Sequence, residues 1–281
     1  MRSNYTTNIE NKRVISITGD ESETFLNNII TNDVKKINSN NSIYSCLLSP
    51  QGKVISHFFI SKIDNKFLII LDDYLSDDLI EKLNFYKLRS QVDIKDENLY
   101  NVIFTTDENF KFNSILDFED PRIPNFGKYF ISKKNDNLDI NLEDNEKYYK
   151  LINLNGLIDS IFNQIQGQYF SLELNMQELN AIDFSKGCYV GQENTARMSL
   201  KEKISKKLFR LNSESKLSSG EEIFFNKEII GKIVSENPNF AMIKMSKFDE
   251  FNDKDLKTQK DIKVKISKPN WMNLNGAVRE T

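Results

Sequence analysis

Polar and apolar residues alternate along 13–17, which predicts a strand, and Gly19-Asp20 then opens a helix in which Asp20 and Glu23 stand at capping-box spacing. Phe25, Leu26, Ile29 and Ile30 give that helix one apolar face. Apolar runs follow at 43–48, 54–60 and 67–71, divided by Ser49-Pro50-Gln51-Gly52-Lys53 and Ile63-Asp64-Asn65-Lys66, both with turn chemistry. A meander fits this spacing. Ser76 is placed as the cap of a second helix, with Leu79, Ile80, Leu83 and Tyr86 at helical intervals, and a further strand is expected at 91–95. The order predicts an antiparallel sheet with helices on one face, related to the split β-α-β arrangement.

The stretch 99–132 mixes short strands with the loop Asp120-Pro121-Arg122-Ile123-Pro124-Asn125-Phe126-Gly127. A polar segment at 134–147 leads to a helix ending near Leu154, so a second α+β unit is expected. From about Lys206 the pattern changes to short strands only, at 206–211, 222–225, 228–235, 240–245 and 261–267, which reads as a small barrel or sandwich. These changes divide the chain into parts at 1–98, 99–203 and 204–281.

With 38 basic and 41 acidic residues, the charge balance argues against a whole-surface nucleic-acid footprint, and direct RNA binding is not expected. The Asn-rich stretches near Asn38 and at 135–141 read as solvated loops. Two cysteines exclude a disulfide framework. No apolar h-region occupies the start and no apolar run exceeds strand length, so a cytoplasmic protein without a membrane span is expected. Cys46, Cys188 and the single His57 are too few for a resident iron–sulfur cluster or zinc site, so no metal is expected. His57, inside an apolar strand, reads as a packed residue.

Cys188 stands in Lys186-Gly187-Cys188-Tyr189-Val190-Gly191-Gln192-Glu193, which is too poor in apolar residues for a core strand and therefore favours exposure. A nearby ammonium, or a helix start at Gly191-Gln192-Glu193, would raise the thiolate fraction. Gly187 and Gly191 let the backbone turn or a ligand approach. Taken alone, an isolated cysteine is as readily an inert buried one.

The run KGCYVGQE resembles the signature of the YgfZ-type folate-binding proteins, a branch of the glycine-cleavage T-protein superfamily. Other segments resemble the family in the same order: Ile17-Thr18-Gly19-Asp20, Thr31-Asn32-Asp33-Val34, Leu48-Ser49-Pro50-Gln51-Gly52-Lys53, Lys87-Leu88-Arg89-Ser90 and Asp120-Pro121-Arg122-Ile123-Pro124. Leu179-Asn180-Ala181-Ile182-Asp183-Phe184 and Thr195-Ala196-Arg197-Met198 flank the signature and also fit.

The resemblance implies an α+β fold of the GcvT-like kind: a ring of two α+β folate-binding parts, with antiparallel sheets and helices, and a C-terminal β-barrel. It implies tetrahydrofolate or a derivative as ligand, with iron–sulfur client enzymes, including tRNA-modifying ones, or assembly proteins as partners. Cys188 is then the functional thiol. Glu173 resembles by position the carboxylate that grips the pterin, whose amine and ring N–H present two donors side by side. Lys186, Arg197 and the basic run 201–210 suit the anionic tail, although that run also reads as a solvated face entering a strand. Asp120 and Arg122 are expected to pin a loop. T-proteins carry aspartates in the stretch that here reads Gly52-Lys53-Val54-Ile55-Ser56-His57, so the general acid–base group of aminomethyl transfer is missing. Three functions are carried forward: an accessory protein of iron–sulfur cluster maturation, a one-carbon transferase, and a tRNA-binding modification factor.

Overall fold

The computed structural model describes residues 4–38, 41–97, 99–134, 142–200 and 204–272. The Asn-rich tract 135–141 and residues 201–203 of the basic run lie outside them.

In chain order the first elements are β1 (Thr6–Asn8), β2 (Lys12–Thr18), α1 (Ser22–Ile29), β3 (Ile43–Leu48), β4 (Val54–Ile63), β5 (Lys66–Asp72), α2 (Ser76–Lys87) and β6 (Asp93–Asp96). Then come β7 (Tyr100–Thr105), β8 (Leu116–Glu119), β9 (Lys128–Lys133), α3 (Asn145–Leu154), α4 (Phe162–Ile165) and α5 (Gln192–Ser199). The last are β10 (Lys206–Asn212), β11 (Glu222–Phe225), β12 (Glu228–Glu236), β13 (Asn239–Lys244), α6 (Phe248–Phe251), β14 (Leu256–Thr258) and β15 (Lys263–Ser267).

Two compact units result, neither contiguous in sequence: residues 1–148 with 179–192, and residues 149–178 with 193–281. The first holds two antiparallel sheets, ordered β3-β4-β5-β2-β6 and β1-β7-β9-β8. Phe59 of β4 meets Phe118 of β8 at 5.7 Å and Tyr129 of β9 at 5.1 Å between ring centroids, so the sheets share an aromatic core. Such rings contribute by buried area and by tilted edge-to-face contact. Arg122 is fully buried against this core, bonded to Asp120 by Nη2–Oδ2 at 2.8 Å and lying over the Phe59 ring at 4.8 Å. The expected pinning of the 120–127 loop is therefore made by an ion pair sealed from water. His57 is buried, with Nδ1 3.0 Å from the Tyr44 hydroxyl, the packed role expected of it.

The second unit contains a closed barrel in the order β10-β13-β12-β11-β14-β15, filled by Phe209, Leu211, Ile223, Ile233, Ile243 and Val264. Mixed α+β architecture with antiparallel sheets and a closed six-stranded C-terminal barrel is thus the fold.

Two expected caps are corrected. Helix α1 begins at Ser22 after Glu21, with no side-chain cap, and Glu21 accepts from the Gln91 amide instead of Asp20 closing a capping box. Ser76 is the first residue inside α2, not its cap, and its hydroxyl donates to the Asp73 carbonyl at 2.7 Å. Ile30 falls past the end of α1, where it bridges to Leu47 instead of extending the helix face.

Candidate functional site

The signature loop is held by segments that lie far apart in sequence. Thr31 Oγ1 donates to the Ala181 carbonyl at 2.6 Å and accepts from the Cys46 amide at 2.9 Å. Asn32 Nδ2 bridges the carbonyls of Tyr44 and Asn180 at 2.9 and 2.8 Å. The Asp183 amide donates to the Thr31 carbonyl at 3.0 Å and the Val190 amide to that of Asn28 at 3.2 Å. Asn180 Nδ2 reaches the Pro121 carbonyl at 3.1 Å. Four of the family-like segments, those containing Thr31, Leu48, Pro121 and Ala181, therefore converge on one loop in the first unit.

Gly191 closes this arrangement from the far end. Its φ of +76° is a left-handed conformation, and a Cβ there would lie 2.3 Å from the Ser49 carbonyl oxygen in the turn between β3 and β4. Only glycine fits without displacing backbone. Gly187 is different: a Cβ would meet nothing within 4 Å. The first glycine of the signature is thus not required by packing.

Between these anchors Phe184, Ser185, Gly187 and Cys188 are exposed while Tyr189 is buried. Lys186 directs Nζ to the carbonyls of Ile30 and Asn32, each at 2.8 Å, and sits 5.2 Å from the centroid of the Tyr189 ring. Burial pushes this amine down to about 8, against the opposing pull of Asp33 and Asp183. Its charge is thus engaged with backbone at the end of α1. Beside it, burial favours the neutral form of Asp183, but Ser185 and Lys36 donate hydrogen bonds that hold the carboxyl at about 2. Lys36 Nζ is 2.9 Å from Asp183 Oδ2. Asp183, Thr31 and Asn32 were not singled out from sequence as site residues. Their signal was there only as short polar runs, since the contacts cross about 150 residues.

Gln192 opens α5 and accepts from the Tyr189 amide through Oε1 at 3.3 Å. Glu193 is exposed in the first turn of α5, and Arg197, exposed in its last turn, donates to Asn194 at 3.1 Å.

Glu173 belongs to the second unit, as do Glu193 and Arg197. It is only 4% exposed, unlike the usual glutamate at a protein surface. Oε2 accepts the Phe170 amide at 2.9 Å, and Oε1 lies 3.5 Å from Lys206 Nζ, itself over the Tyr169 ring at 5.2 Å. Burial, then the charge of Glu173, raises the Tyr169 phenol. A carboxylate offers about four lone-pair positions, so those contacts leave Glu173 able to accept two further N–H groups. Lys207, from the same basic run, is buried and bonds Glu178 Oε1 at 2.6 Å, which makes it a structural residue.

In the second strand of the meander, Ser56 and His57 are both buried. Among the described residues no group of three or more His, Cys, Asp or Glu could hold a metal ion, and no helix is long and apolar enough to cross a membrane.

No family model matches the sequence. The chain is similar to the iron–sulfur cluster assembly factor IBA57 homolog, mitochondrial, of Neurospora crassa, at 30% identity over 217 residues, 68% of this chain and 49% of that protein. The corresponding protein of Mycosarcoma maydis is 27% identical over 67% of this chain and 52% of its own length. The chain thus spans about half the length of these curated relatives. An uncharacterized protein of Haemophilus influenzae is 25% identical over 75% of each chain. The fold is shared with the glycine cleavage system aminomethyltransferase T from Bartonella henselae, with a TM-score of 0.69 and 12% identity over 96% of this chain and 86% of that one.

Proposed function

We propose that the chain is a YgfZ-type folate-binding accessory protein that supports iron–sulfur cluster assembly or repair in client enzymes, tRNA-modifying ones among them, through Cys188. The observation that carries this reading is the exposed thiol on a loop clamped by several independent parts of one unit. The IBA57-type relatives support it by what their name states of them.

Cys188 offers one accessible thiol, and Cys46 is sealed in β3 with its thiol pushed far up by burial. A cluster normally needs four protein ligands, so Cys188 serves as one ligand while another molecule supplies the rest. Lys186, Asp183 and the Gly191 contact position that thiol and take no part in bond making.

Tetrahydrofolate fits the buried Glu173 carboxylate, which accepts adjacent ring donors, with Arg197 available for the anionic tail. When bound, it supplies a reduced pterin able to accept a one-carbon unit. Ser56 and His57 replace the acid–base aspartates, which disfavours the aminomethyltransferase reading.

The test is complementation of a strain lacking the chain. Cys188→Ser is expected to fold normally, because the residue is exposed, and to lose support of iron–sulfur enzymes. Full support by the serine variant would end the proposed role of the thiol.

A further inference from the structure

At the end of α2, Leu88 has φ +47° and ψ −108°, and the Ser90 amide donates to the Lys87 carbonyl at 2.8 Å. These are the marks of a type II′ turn with Leu88 at its first central position, where glycine is strongly preferred. A leucine there strains the backbone. Burial gives nothing in return, because Leu88 is 86% exposed. One helical turn back, Phe85 is 73% exposed and meets the Tyr86 ring edge-on at 5.4 Å between centroids. Neither the turn nor the core of this unit accounts for two large apolar side chains here.

Leu88 is flanked on both sides by cations, while Glu81 stands one helical turn before Phe85 and Asp93 feels the charge of Lys87. Lys87 and Arg89 bracket Leu88, and among the described residues neither has a carboxylate within salt-bridge distance, whereas Lys82 earlier on α2 is paired with Asp78 at 2.9 Å. Exposed apolar side chains grouped on one surface mark a contact site, and aromatic residues and arginine, here Phe85 and Arg89, are the types enriched in protein interfaces.

We propose that Phe85 and Leu88, bracketed by Lys87 and Arg89, form a docking knob for a partner protein that offers an apolar pocket rimmed by Asp and Glu side chains. That the partner is an iron–sulfur client or assembly protein rests on the function proposed above; the knob itself does not.

Leu88→Gly removes the anchor and satisfies the turn. It is expected to melt no lower than wild type, yet to lower iron–sulfur enzyme activity in the complemented strain by about fivefold or more. The pair Lys87→Glu and Arg89→Glu is expected to match that loss. In the full chain in cells, the photo-crosslinking residue p-benzoylphenylalanine placed at position 85 is expected to join an acidic segment of an iron–sulfur assembly or client protein, identified by mass spectrometry. An adduct to a second copy, nucleic acid or lipid overturns the partner class. A clear drop in melting temperature for Leu88→Gly overturns the strain argument. Full activity of Leu88→Gly beside an inactive Cys188→Ser overturns the knob and leaves the proposed function standing. A fully active Cys188→Ser with the acidic-segment adduct still formed does the reverse.

Discussion

At the scale of single residues, the two glycines of the signature look alike in sequence and differ in physical duty. Gly191→Ala forces a Cβ toward the Ser49 carbonyl from a left-handed backbone and is expected to cost roughly 2–4 kcal/mol. Gly187→Ala meets open space and should stay within about 0.5 kcal/mol of wild type. Urea unfolding of the two variants distinguishes them, and equal losses would refute the asymmetry. Asp183 gives a prediction in pH. Its folded carboxyl titrates at about 2 against an ordinary 3.8, so its contribution is fully present above about pH 4 and is lost as pH falls toward 2. Asp183→Asn should therefore cost roughly 1–3 kcal/mol at neutral pH, and that difference should close in acid. A gap unchanged from pH 7 to pH 2 would show that the charge is irrelevant. Lys186 acts in the opposite range: burial disfavours its charged form, so its contribution to stability improves as pH rises from about 8 toward 10.5.

At the scale of elements, the loop between β8 and β9 depends on Arg122, whose charge is buried together with Asp120. Removing one partner leaves the other uncompensated, so Arg122→Met should cost roughly 3–5 kcal/mol. Adding Asp120→Asn should recover much of it, because a buried ion pair is worth little against well-packed neutral groups. Denaturant unfolding of the cycle checks this; a double variant as unstable as the sum of the singles would place the energy elsewhere. The meander β3 to β5 was legible because apolar runs alternate with strong turn residues, and the barrel because short strands recur between breakers. Three-residue β14 was not, since Leu256, Lys257 and Thr258 form too short a pattern. The cap at Asp20 failed because Glu21 at the helix start is held by the Gln91 amide 70 residues away, and that at Ser76 because its hydroxyl turns back to the Asp73 carbonyl. Exposure of Cys188 was legible from its polar, glycine-flanked surroundings, but its clamp was not. Lys186 donates to carbonyls more than 150 residues away, a distance over which local periodicity carries no information.

At the scale of the whole molecule, each unit carries one of the two proposed chemistries, a presented thiol in the first and a buried carboxylate in the second. If tetrahydrofolate binds the native chain only, it must stabilise that chain by mass action, by about 2.7 kcal/mol at a hundredfold excess over Kd. For a chain of this size each kcal/mol corresponds to a rise in melting temperature of about 2–4 °C, so a clear upward shift is expected. Glu173→Gln keeps the side-chain shape and one acceptor for the Phe170 amide, so the ligand-free variant should melt near wild type. Its amide also presents N–H groups toward ring N–H donors, and the folate-induced shift should vanish. Cys188→Ser should retain the shift in full, because the thiol is assigned no part in binding. A shift preserved in Glu173→Gln would move the folate site away from this carboxylate, and no shift in wild type would remove folate from the proposed function while leaving the role of Cys188 to be judged by complementation.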